Sequence, residues 1–266
     1  QLRSAFNYQP ADWDVTNVYM NQLLARGELD EMAEAVATLK DTAPKARETE
    51  LFETQYLFRN GNQDRAIRQL RGLTQSEPNY ARAHSVLVQM YQEQGQSRRA
   101  LESLETLLAL EPGNDQALRV GVGIITSSDL EVDPQSWLRE LGNQNEALKP
   151  NTTALRAMLH RDNGELELAS ALLSSYTGEL NNYVEQVKSL VYRDRARQLA
   201  GEENYEESRA LLSQALNSFP NSKTLNLDLV RLELAQQRYE QANLLLDDLQ
   251  ERHPNGSPRF PRLSPL

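Results

Sequence analysis

The chain has 266 residues, 28 Lys and Arg against 38 Asp and Glu, a net charge of −10 and no cysteine. That balance opposes binding to nucleic acid or to an anionic membrane face, both of which need clustered cations, and no apolar run approaches the ~18–20 residues of a membrane span. The missing cysteines exclude disulfides, zinc–thiolate sites and thiol catalysis, and they fit an oxidising compartment. Scarce Gly and Pro beside abundant Leu, Ala, Glu, Gln and Arg are the make-up of a helix-rich protein.

The chain opens at Gln1, without Met or a charged-then-apolar leader, so it is read as a mature form after signal removal or as an excised fragment. Residues 1–12 form an N-terminal extension to the first periodic element. From there Gly27, Gly61 and Gly95 recur every 34 residues, and Pro44, Pro78 and Pro112 do the same. A fixed period of this length marks a repeat architecture whose units cannot bury their apolar faces alone. Each unit is predicted as a helix, a turn at a glycine that tolerates left-handed φ, a second helix, and a proline that stops it. Three regular units therefore fill 13–112. In their second helices Met32, Ala66 and Ala100 share a column, as do Val36, Leu70, Leu104 and Leu39, Leu73, Leu107. Offsets of four and three place these columns on one buried stripe. Leu23, Leu57 and Tyr91 form the matching column of the first helices.

The register breaks over 113–180. Pro112 to Pro150 spans 38 residues, and the segment 127–133 lengthens a turn. Asp133-Pro134 is an N-cap followed by a first-turn proline, so a helix begins there and carries Trp137, Leu138 and Leu141 inward. A shorter pair follows at about 152–178, with Asn163-Gly164 as its turn and Ala169, Leu172 and Leu173 buried. This irregular stretch is expected to be a hinge or a specialised surface between two regular blocks. A long first helix at about 181–201 restores the pattern, giving two regular units over 181–254. A Pro-rich tail, 255–266, closes the chain.

Catalytic and metal constellations are missing. His84, His160 and His253 fall in different units, which opposes triad or metal geometry. Gly121 and Gly123 lack the context of a phosphate loop and are read as small residues that let helices approach. Carboxylate pairs such as Asp247–Asp248 are read as solvated helix ends. No cofactor is expected, and the chain is not expected to be an enzyme.

With its 34-residue helix–turn–helix unit, glycine turn, small residue early in the second helix and closing proline, the chain resembles the tetratricopeptide repeat family. The segment "QGQSRRALESLETLLALEPGN" matches best. "ENYEESRALLSQALNSFPNS" and "QRYEQANLLLDDLQERHPNG" follow, with Tyr205 and Tyr239 in the turn column and Ser208 and Ala242 in the small-residue column. The family's early Trp is replaced by Thr16, Glu50 and His84, and the later turns hold Glu203 and Gln237 in place of glycine. The resemblance implies an all-α, right-handed solenoid of about seven helix–turn–helix pairs, whose first helices line a concave groove for a bound peptide.

On that surface Asn21, Gln55 and Gln89 occupy one column, a ladder of amides able to pair with the backbone of an extended peptide. Leu51 and Phe58 are expected as an exposed apolar strip, with Phe52 in the interhelical core. Arg193, Arg197 and Arg231 form a patch suited to a carboxylate, opposed by Asp194 and Asp228 three residues before Arg197 and Arg231. Ladder and patch are expected to share one channel. The resulting expectation is a non-catalytic scaffold for a protein or peptide partner, with no nucleic acid and no membrane span. In style it is similar to bacterial cell-envelope repeat proteins of the periplasm that serve envelope assembly, polysaccharide secretion or substrate delivery to a protease. The alternatives are a cytoplasmic location, a substrate-recruiting or regulatory segment of a larger enzyme, and a helical-repeat RNA binder.

Overall fold

Fifteen α-helices and no strand occupy the described residues, 1–178 and 181–252, of the computed structural model. His253, Pro254 and the tail expected at 255–266 lie outside them. The fold is an all-α helical repeat. It divides into two compact units at Val132/Asp133.

The first unit holds α1 (Leu2–Tyr8), α2 (Trp13–Arg26), α3 (Leu29–Thr42), α4 (Arg47–Arg59), α5 (Gln63–Ser76), α6 (Ala81–Glu93), α7 (Ser97–Leu110) and α8 (Asp115–Thr126). The pairs α2–α3, α4–α5 and α6–α7 are the three predicted hairpins, and every residue of their four sequence columns is buried. The extension expected at 1–12 contains a packed helix. Phe6 of α1 is 1% exposed and meets the Tyr19 ring at 5.0 Å between centroids, while Arg3 reaches Glu34 at 2.9 Å. This covers the apolar edge that a terminal repeat otherwise leaves open.

The second unit holds α9 (Pro134–Gln144), a 3-10 turn at Glu146–Leu148, α10 (Lys149–Asp162), α11 (Leu166–Ser174), α12 (Asn182–Gly201), α13 (Tyr205–Ser218), α14 (Lys223–Ala235) and α15 (Tyr239–Arg252). Asp133 caps α9 through Ser136 N–H at 2.9 Å, with Pro134 in the first turn, and Trp137, Leu138 and Leu141 are buried as expected. The count of seven pairs needs one correction. α8 packs on α7 and ends the first unit, whereas α9 packs with α10 and opens the second. The helices expected as a fourth hairpin are thus divided. Pro150, expected to close a helix, instead sits in the first turn of α10, where its missing N–H costs nothing.

Six hairpin turns use one device. The residue after the turn donates its N–H to the carbonyl five residues back: Glu28 to Leu23, Asn62 to Leu57, Gln96 to Tyr91, Glu165 to His160, Asn204 to Leu199 and Arg238 to Glu233, all between 2.8 and 3.0 Å. This Schellman closure needs left-handed φ at the residue before the donor. Gly27, Gly61, Gly95 and Gly164 supply it freely, and Glu203 and Gln237 adopt it at φ 64 and 58.

Where the family's early Trp is missing, a buried polar side chain ties the first helix to the preceding linker. Thr16 Oγ1 donates to Pro10 O at 2.7 Å, Thr49 Oγ1 to Ala43 O at 2.8 Å, His84 Nε2 to Pro78 O at 3.0 Å and Asn226 Nδ2 to Pro220 O at 3.1 Å. The tether in the second hairpin is Thr49, one residue ahead of the Glu50 that the strict period selects. Of the two glycines of α8, Gly121 is buried, and the reading changes at Gly123. A Cβ on Gly123 would meet nothing within 4 Å, whereas one on Gly142 of α9 would lie 2.5 Å from Thr152 Oγ1 of α10. A close approach that only glycine allows is therefore found at Gly142 and not at Gly123.

Candidate functional site

Asn21 of α2, Gln55 of α4 and Gln89 of α6 line one groove of the first unit, with a volume of about 370 Å³. They converge because three successive first helices present the same helical position one repeat apart. The rim carries Arg59 and Glu93, themselves 34 residues apart and paired at 2.9 Å. Such an exposed pair fixes a register between α4 and α6 more than it stabilises them.

The floor differs from expectation. Leu51 and Phe58 are 0% and 3% exposed, so neither forms an exposed apolar strip. α4 is flanked by α2 and α3 on one side and by α5 and α6 on the other, which buries two of its faces. Phe58 touches the groove only as its floor. Phe52 is core, as expected.

Arg82 is the residue that column reading missed. It stands in the first turn of α6, seven residues before Gln89 and therefore on the same face. Its guanidinium reaches back to α2, bonding the side-chain oxygens of Asn17 and, at 3.3 Å, Asn21, and its carbon lies 4.8 Å from the centroid of the Phe52 ring. Burial pushes the nearby Tyr80 hydroxyl's pKa up, against the pull of Arg82 and Arg47. Among the described residues no carboxylate forms an ion pair with Arg82. Its charge is held by amides and an aromatic face, and it lines the groove. Gln55 is unsatisfied on one side: its Oε1 is buried without a hydrogen-bond partner. A buried acceptor without a partner is costly.

The arginine patch belongs to the second unit, and the amide ladder to the first. Arg197 grips Asp228 with Nε and Nη2, both at 3.0 Å, and Arg231 Nη1 takes the same carboxylate at 2.7 Å. Asp228 is 5% exposed. Asp194 does not pair with Arg197. It accepts from Arg161 Nε of α10 at 2.8 Å and lies 3.6 Å from Arg193. Arg193 Nε is buried without a hydrogen-bond partner, its carboxylate neighbour standing 3.6 Å away, while Arg197 and Arg231 share one buried anion.

His84 is used in its linker tether, and His160 Nδ1 lies 2.7 Å from Glu165. Among the described residues no three His, Asp or Glu side chains gather as a metal site, and no helix is long and apolar enough to cross a membrane.

Residues 199–263 match the tetratricopeptide repeat family model. No curated protein matches the sequence. Among solved structures, the chain is similar to one in the APC/C hetero-tetramer Cut9–Hcn1, at 14% identity and TM-score 0.44, over 96% of this chain and 49% of that one. It is similar to the human IFIT1 dimer with m7Gppp-AAAA at 15% identity and TM-score 0.38, over 93% and 62% of the two chains. Pseudomonas aeruginosa pilF gives 17% identity and TM-score 0.40, over 80% and 94%. The chain thus spans about half the length of the first of these and under two thirds of the second.

Proposed function

The chain carries tetratricopeptide repeats, and on that premise we propose that it is a non-catalytic scaffold whose first unit holds an extended segment of a partner protein in the groove of α2, α4 and α6. The observation that carries this reading is the convergence of Asn21, Gln55 and Gln89 with an Arg82 that no carboxylate neutralises. Amides both donate and accept, so the ladder pairs with backbone groups of an extended chain regardless of its sequence. Arg82 supplies a charge that favours a carboxylate on the occupant.

We propose for the chain itself a location in the bacterial periplasm or cell envelope, with a role in assembly, polysaccharide secretion or substrate delivery to a protease. The support is compositional: no cysteine, an acidic balance and a Gln-, Leu- and Arg-rich chain. Cell fractionation of the native protein tests the location.

The groove is tested by affinity capture from native extract with the wild-type chain and with a Gln55→Leu, Arg82→Ala, Gln89→Leu variant of unchanged melting temperature. Partners retained by the wild type and lost by the variant support the reading. Identical sets from both place binding elsewhere. RNA recovered in place of protein, at low salt, rejects the scaffold in favour of a nucleic-acid binder.

A further inference from the structure

We propose that the edge of the first unit where α5 and α7 begin docks an acidic segment of a partner protein on Arg65, Arg68, Arg98 and Arg99. This surface shares no lining residue with the groove of α2, α4 and α6 and goes beyond the function assigned there.

Elsewhere in the first unit Arg3, Arg26, Arg47, Arg59 and Arg119 each form an ion pair. Arg65 and Arg68 of α5 and Arg98 and Arg99 of α7 are exposed, and with the described residues none of the four forms one. Arg99 spends one Nη on Gln96 Oε1 at 2.7 Å and keeps its charge. Asp64, Glu102 and Asp129, the acids beside them, pair with none of them.

The repeat brings these cations together. Arg65 and Arg99 are each the third residue of their helix, the same position one repeat on. Gln94 Nε2, in the turn before α7, lies 3.5 Å from Oε1 of Gln63, the first residue of α5, so the two helix starts are neighbours. Arg98 and Arg99 also line a hollow of about 770 Å³ between that turn and residues 127–130. Ser128 lines it as well, and its Oγ is buried without a hydrogen-bond partner.

Folding alone does not ask for this arrangement. The positive N-terminal end of a helix favours acids and disfavours cations. Other second helices comply, with Asp30 and Glu31 in the first turn of α3, Glu206 and Glu207 in that of α13, and Glu240 in that of α15. The first turn of α7 holds Arg98 and Arg99 and no acid. A local choice that opposes the helix, with no compensating carboxylate inside the unit, points to a use outside it.

The spread of the cations selects the ligand. Packed neighbouring helices stand ~10 Å apart, so engaging Arg65 and Arg99 together takes at least two anions on one molecule. An extended segment with acids at alternate positions sets same-face carboxylates ~6.6 Å apart, within reach of two long arginine stems. A nucleic acid carries a charge on every nucleotide, which Asp64, Glu102, Asp129 and the net charge of −10 oppose. Binding to a membrane face grows with buried apolar area, and no large apolar side chain of α5 or α7 is exposed.

The test uses the full chain labelled for NMR, at low salt, with four probes. They are acetyl-Glu-Gly-Glu-Gly-Glu-Gly-Glu-amide, the same peptide with glutamine for glutamate, a short oligoadenylate RNA, and phosphatidylglycerol vesicles. Both peptides are capped, so no chain-end carboxylate takes part. The glutamate peptide is expected to shift amide signals at the starts of α5 and α7 and to bind at least about tenfold more tightly than the other three. Arg65→Gln, Arg98→Gln and Arg99→Gln together are expected to weaken it about tenfold, and lysine at the same positions to restore it to within about threefold. The side chains are exposed, so both variants keep the parent melting curve. Arg82→Ala, in the groove, is expected to leave this binding unaltered, so loss of the groove reading and loss of this one are separable. Equal affinity for the two peptides, equal or tighter binding of RNA or vesicles, or shifts confined to α2, α4 and α6 overturns the proposal. Full affinity in the glutamine variant does the same, as does a self-association that this variant abolishes, which would assign the surface to a second copy.

Discussion

Gly27, Gly61 and Gly95 turn the hairpins of the first unit at φ 67, 84 and 68, while Glu203 and Gln237 turn the last two hairpins of the second at φ 64 and 58. All five close with the same N–H to carbonyl bond. The backbone of the turn is therefore set by the packing of the two helices it joins, and the residue in it adopts what that packing demands. Glycine does so without strain. A glutamate or glutamine bears the cost of a left-handed conformation, ~1–2 kcal/mol, because its Cβ crowds the following carbonyl. The second unit tolerates that cost because the small-residue column, Ser208 and Ala242, and the stripe of Leu212, Leu246 and Leu249 are still buried.

The largest expected effect tests whether the two units share one register in the core. Ala100→Asp and Ala242→Asp each place an unpaired carboxylate at a position 0% exposed, and each is expected to cost ~3–5 kcal/mol. Denaturant melts that show a large loss for one and none for the other would break the equivalence. Next, Gly142→Ala drives a methyl toward Thr152 Oγ1 and the Lys149 backbone. It is expected to cost ~1–3 kcal/mol by overpacking, whereas Gly123→Ala, with open space around it, is expected to be neutral or stabilising. Three smaller changes sharpen the turn comparison. Gly95→Ala is expected to destabilise by ~1 kcal/mol, and Glu203→Gly and Gln237→Gly to stabilise by ~0.5–1 kcal/mol, less than the full strain because glycine also loosens the unfolded chain. Opposite signs at the two sets of turns are the outcome that the comparison requires. Last, Arg59→Ala removes an exposed pair with Glu93 and is expected to shift stability by ~0–1 kcal/mol, with the effect shrinking in salt.

The hairpins were legible because period, turn glycine and closing proline repeat independently and agree with one another. What failed to show was decided by contacts between elements. Asp133-Pro134 announces a helix start but says nothing about which neighbour that helix packs on, so the periodicity pairs α8 with α9 although they stand in different units. Leu51 and Phe58 look available on a helical wheel, and they are buried because α4 is flanked on two sides. Arg82 escaped a reading confined to the column of Asn21, Gln55 and Gln89, although its seven-residue offset from Gln89 was visible. Thr49 escaped because the tether to the linker tolerates a one-residue slip that a strict 34-residue period does not. The pairing of Arg197 and Arg231 on Asp228 was half legible. The three-residue spacing of Asp228 and Arg231 predicts one bond, while the second comes from a helix 31 residues away.

The central claim, that the first helices of the first unit hold the partner, is tested most directly by photo-crosslinking in native extract. A photo-reactive amino acid is placed at Gln89, in the groove, or at Gln75, exposed on α5. The account predicts protein adducts from position 89 that disappear when Arg82→Ala is added, and few from position 75. Adducts from position 75 with none from position 89 would contradict it and move the binding surface to the second helices.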